Sequence, residues 1–181
     1  MTSATASSAA PTAGLIEALS SALDEPRWLR DDRLAALATY RELDWPSGQE
    51  EEWRRTPMAD VPLEDYRLPR DGAPTVPAAL NTLGLDGGGT LLRQIDASLD
   101  EHLLPAGLAA QGVIFLPLAQ AAREHKELVR EHLHATLPID TNRFTALSAA
   151  LWSQGLFCYI PDGLRLEGGL RHLLGKSAPV P

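Results

Sequence analysis

The chain has 181 residues, 24 acidic against 16 basic, for a formal charge of −8 with histidine neutral. A hydrophobic fraction of 44% and a charged fraction of 22% are those of a globular domain and exclude collagen-like, coiled-coil and wholly disordered classes. No apolar run reaches the ~20 residues that span a bilayer, and no basic stripe answers nucleic-acid phosphates, so neither membrane nor nucleic acid is an expected partner.

Residues 1–13 read as a disordered tail: Met1 to Thr12 is rich in Ser, Thr and Ala and lacks both the positive start and the apolar core of a secretory signal. Gly14 to Leu23 follows as a short amphipathic helix, with Leu15, Ile16, Leu19 and Leu23 at helical spacing. Asp24-Glu25-Pro26 is a helix-start signal. The next helix carries Trp28, Leu29, Leu34, Leu37, Ala38 and Leu43 inward and Arg27, Arg30, Asp31, Asp32, Arg33 and Arg41 elsewhere, stopping near Asp44 because Pro46 excludes helical geometry at Trp45. Between residues 46 and 77 proline is too dense for a regular element, yet Trp53, Met58, Val61, Leu63, Tyr66 and Leu68 are unlike a plain linker. An irregular packed segment is expected there.

Asp86-Gly87-Gly88-Gly89 is a turn between extended pieces around Leu83 and Leu91–Ile95. Gly112 to Leu116 reads as a buried strand, a helix begins at Pro117, and a second helix carries Leu128, Val129, His132 and Leu133 until Pro138 breaks it. Thr141 to Trp152 is a helix capped by Asp140 or Thr141 and ended by a left-handed Gly155. Leu156–Ile160 then reads as a buried strand, Pro161-Asp162-Gly163 as a tight turn, and Leu164–Glu167 as an alternating strand. Helices first and strands late make the class α+β.

Little in the chain carries chemistry. Glu127, Glu131 and His134 would share one helix face, with Glu131-x-x-His134 at the spacing of helical carboxylate metal sites. A small metal-dependent enzyme built on them is the rival reading, although no second Glu-x-x-His supports it and a solvated charged face is the plainer one. Gly87-Gly88-Gly89-Thr90 lacks the lysine and spacing of a phosphate loop. Cys158, the lone cysteine, cannot form an internal disulfide, which fits a reducing cytoplasm; mid-strand, it reads as a small hydrophobe with a raised pKa. Asp162 and Arg165 shape a turn. Trp28, Trp45, Trp53 and Trp152 read as core anchors. A generic helical adaptor is the third reading. No catalytic, cofactor-binding or metal-ligating residue is assigned.

Three passages are more distinctive in combination. Glu25-Pro26-Arg27-Trp28-Leu29 leads to Leu43-Asp44-Trp45-Pro46; Glu50-Glu51-Glu52-Trp53-Arg54-Arg55-Thr56 leads to Pro62-Leu63-Glu64-Asp65-Tyr66-Arg67. Gly112-Val113-Ile114-Phe115 leads through Arg130-Glu131-His132-Leu133 to Asn142-Arg143-Phe144-Thr145-Ala146-Leu147-Ser148-Ala149-Ala150-Leu151-Trp152 and Gly155-Leu156-Phe157-Cys158-Tyr159-Ile160-Pro161-Asp162-Gly163-Leu164. In that order they resemble the SufD branch of the SufB/SufD family, scaffold proteins of iron–sulfur cluster assembly.

The resemblance implies a helical N-terminal region, a long right-handed β-helix, and a C-terminal region that binds the SufC ATPase. On that reading, residues 14–155 are the mainly helical N-terminal domain and residues 156–181 the first strands of a β-helix that continues past this chain. The implied partners are SufB-like and SufC-like subunits in the cytoplasm. The cysteine and histidine that serve cluster assembly in the family lie in the part beyond and are not carried onto Cys158 or any histidine here. The cluster would belong to the whole assembly, with no cofactor bound by this segment. A lone β-helix coil leaves edges unpaired, so the tail after Gly168 is expected to be loose, and Leu156–Ile160 to be an association hazard if exposed.

Overall fold

The structure is a computed structural model, and it describes residues 11–51, 53–55, 89–95 and 98–175. In chain order the elements are α1 (Ala13–Ala22), α2 (Arg27–Glu42), β1 (Thr90–Ile95), β2 (Ser98–Leu103), α3 (Ala106–Ala110), β3 (Ile114–Pro117), α4 (Leu118–Glu124), α5 (Lys126–His132), α6 (Arg143–Leu151), β4 (Leu156–Tyr159) and β5 (Leu170–Gly175). The α+β class holds. Two compact units divide the chain: residues 1–68 with 130–152, and residues 69–129 with 153–181. From residue 56 to residue 88 the expected irregular segment, the extended piece at Leu83 and most of the glycine turn lie outside the described residues, as do residues 1–10 of the expected tail.

The first unit is helical. Thr12 caps α1, its hydroxyl accepting from the Leu15 amide at 3.2 Å. Asp24 turns the chain with a φ of +50°, and α2 begins after Pro26, whose fixed φ and missing N–H suit a helix entry. It ends at Glu42 because Leu43 is already extended, just short of the expected stop. The cap of α6 is neither Asp140 nor Thr141 but Asn142. Its side chain accepts from the amides of Phe144 and Thr145 while Thr145 Oγ1 accepts from the Asn142 amide, a complete capping box. The Thr141 hydroxyl donates instead to the Pro138 carbonyl. Ile16, Ala36, Leu37, Tyr40, Ala146, Ala149, Ala150 and Leu151 form this unit's core. Three alanines on one side of α6 leave no side-chain bulk to keep α2 away.

Two expectations on α2 are corrected. Ala38 is exposed and Arg33 is buried. Leu29, Arg33, Ala36, Leu37 and Tyr40 are one helical stripe at spacings of three and four, and Arg33 falls inside it while Ala38 falls off it.

The second unit holds two sheets. One has the order β2-β1-β5, antiparallel between β1 and β2 and parallel between β1 and β5; the other pairs β3 with β4 antiparallel. As the middle strand, β1 is buried at all six positions, so polar Arg93 must find partners. It pairs with Asp100 and, at 3.1 Å, with Glu101, its cross-strand neighbour on β2. Ser98–Leu103, to which the sequence reading assigns no element, takes its strand role opposite β1.

The C-terminal expectations are also corrected. Leu164–Glu167 keeps its alternation of half-buried and exposed residues but forms no ladder. The strand comes later, as β5, and pairs Thr90 with Leu170 through Ile95 with Gly175, so the stretch after Gly168 is tied down through Gly175 rather than loose. β4 is half-buried rather than buried, and its hydrogen-bonding edge toward β3 is paired. Gly155 has no left-handed backbone and does not end α6, because Trp152 is already extended. Its backbone carbonyl instead accepts from the Leu118 amide at 2.9 Å, and a Cβ there would lie 2.9 Å from Leu118 Cδ2. Glycine is demanded by close approach, not by φ. Among the described residues no helix is long and apolar enough to cross a membrane.

Candidate functional site

The Glu127/Glu131/His134 face is not formed. α5 ends at His132, and His134 sits two residues beyond it with a φ of +63°, off the helix that was to align it. Among the described residues no group of three or more His, Cys, Asp or Glu could hold a metal ion. His134 and Asp32 influence each other instead. Burial pushes the His134 imidazole below its ordinary value, with Asp32 opposing and Arg33 adding to the effect; burial pushes the Asp32 carboxyl up, with Arg130 and His134 opposing.

Cys158 lies on β4 opposite Phe115 and is exposed, not a packed core residue. Its surroundings still desolvate the thiol enough to raise its pKa. Asp162 and Arg165 are exposed, beside Gly163 with a φ of +77°, which suits the turn assigned to them. Gly89 leads directly into β1, and Gly87 and Gly88 lie outside the described residues.

The geometry concentrates elsewhere, along α6 and the helix packed on it. Arg33 Nε and Nη2 donate to the two oxygens of Glu25 at 2.8 and 2.6 Å, a bidentate pair with both side chains fully buried. Arg33 Nη1 donates to the Ala150 carbonyl at 3.0 Å, and the guanidinium carbon stands 3.9 Å from the centre of the Trp152 ring. One side chain of α2 therefore holds Glu25, ahead of its own helix, by charge and the end of α6 by hydrogen bond and ring contact. A second arginine works at the other end of α6. Arg143 Nη1 donates to the Leu43 carbonyl at 2.8 Å, with its guanidinium 4.6 Å from the Tyr40 ring and 4.5 Å from Trp45.

The tryptophans are clamps at the core margin rather than buried anchors. All four are partly exposed. Trp45 meets Phe144 edge-on at 5.4 Å, Trp53 stacks on Phe144 at 5.1 Å, and Arg130 lies over Trp28 at 5.6 Å. The indole N–H groups of Trp28 and Trp152 are buried without a hydrogen-bond partner among the described residues. Phe144, Leu147, Ser148 and Leu151 of α6, with Trp152 just beyond it, border a hollow of about 410 Å³. The helix is thus apolar on two sides: its alanines and Leu151 belong to the core, and Phe144, Leu147 and Leu151 also border the hollow. Such a surface suits packing and recognition. It brings no nucleophile to a base.

Comparison with known proteins finds similarity to iron–sulfur cluster assembly proteins. Residues 89–171 match the family model described as the SufBD protein N-terminal region. The chain is 26% identical over 170 residues to the iron–sulfur cluster assembly protein SufB of Bacillus subtilis, covering 88% of this chain and 37% of that protein. The same figures describe its similarity to an iron–sulfur cluster assembly SufBD family protein of Staphylococcus epidermidis. To a SufBD family protein of Mycobacterium tuberculosis it is 36% identical over 74 residues, 41% of this chain and 9% of that protein. The chain thus spans about 37% of the length of the first curated relatives it matches.

Proposed function

We propose that the chain, whose residues 89–171 match the family model described as the SufBD protein N-terminal region, is the N-terminal region of a SufD-like scaffold subunit of the SufB/SufD family, working in the cytoplasm with SufB-like and SufC-like subunits in iron–sulfur cluster assembly. Its own share is structural: it catalyses nothing and binds no cofactor, and the cluster is the cargo of the whole assembly. Residues 14–155 serve as the N-terminal domain, and residues 156–181 open a right-handed β-helix that the remainder of the protein continues.

One observation carries this reading. The family match at residues 89–171 covers the same stretch in which Gly112–Phe115, Asn142–Trp152 and Gly155–Leu164 resemble SufD. A surface of arginine–aromatic clamps and an apolar hollow, rather than an acid–base pair, also suits a scaffold. The test is complementation in a strain lacking its SufD, using the full-length protein and a form lacking residues 14–155. The full-length form should restore cluster-enzyme activity and co-purify with SufB and SufC, and the deleted form should not. Restoration of a strain lacking SufB, without restoration of the strain lacking SufD, would overturn the SufD assignment. Purified full-length protein turning over a substrate alone would overturn the scaffold role.

A further inference from the structure

We draw no further inference here: the strongest candidate, the apolar hollow along α6 bordered by Phe144, Leu147, Ser148, Leu151 and Trp152, carries nothing because nothing in the structure shows what covers it.

Discussion

A guanidinium with no exposed surface must find all of its stabilisation inside the protein. Arg33 finds it in Glu25, the Ala150 carbonyl and the Trp152 ring. Removing one member of such a pair strands a buried charge, at a cost of about 3–5 kcal/mol, whereas removing both can be nearly neutral. Arg33→Met and Glu25→Leu should each lower the chemical-denaturation midpoint severely, and the double variant should recover most of the loss. A double variant no more stable than the worse single one would refute the pairing. Protonation gives a second residue-level expectation. Burial holds His134 and His172 below the ordinary histidine value of 6.5. Between that value and their depressed folded values, the unfolded chain carries protons that the folded chain does not. Their contribution is therefore whole above 6.5 and declines as the pH falls through that window. Asp32, raised above 3.8, acts in the opposite sense: in the window just above 3.8 the folded chain takes up the proton first, and acidification favours it. Denaturation midpoints measured from pH 7.5 to 5 should fall, and the combined His134→Gln and His172→Gln substitutions should flatten the slope. An unchanged slope would remove these histidines from the explanation.

Among the elements, the local signals that start and stop helices are legible before any contact is known. Pro26 marks the entry to α2, whereas Thr12, the cap of α1, falls in the stretch that composition reads as tail. The cap of α6 is misread by one or two positions because Asp140, Thr141 and Asn142 are all competent caps. What separates them is which side chain reaches two free amides at once, and only Asn142 does. Glycines divide in the same way. Gly155 is constrained by Leu118, a neighbour remote in sequence, so Gly155→Ala should destabilise by about 1–3 kcal/mol through overpacking. Leu118→Ala in that background should return part of the loss. Gly107, inside α3, has nothing within 4 Å of the place an alanine methyl would take, so Gly107→Ala should stabilise by about 0.4–1 kcal/mol by restricting the unfolded chain. Thermal unfolding of the variants checks both signs, and a neutral Gly155→Ala would show that the close approach gives way without strain.

At the scale of the whole molecule, the first unit is assembled from two separated stretches of chain, and α6 completes a core begun by α1 and α2. Deleting residues 1–44 should therefore uncover Ala146, Ala149 and Ala150 and unravel α6, seen as lost helical circular dichroism and rapid tryptic cleavage after Arg143. Undiminished protection at Arg143 would mean that α6 is held by something other than α2. The sequence by itself determined the α+β class, the helices near Gly14–Leu23, Arg27–Glu42 and Arg143–Leu151, the strand at Leu91–Ile95 and the family resemblance. These rest on periodicity, capping and short motifs, which act within a few residues. Only the tertiary structure decided that Arg33 is buried, that β5 rather than Leu164–Glu167 is the last strand, and that Gly155 is a contact glycine. Arg33 and Ala150 are 117 positions apart, and Gln94 and His172, whose side chains meet across the sheet, are 78 apart. Burial and strand pairing are properties of such distant partners, and no local pattern encodes which partner arrives.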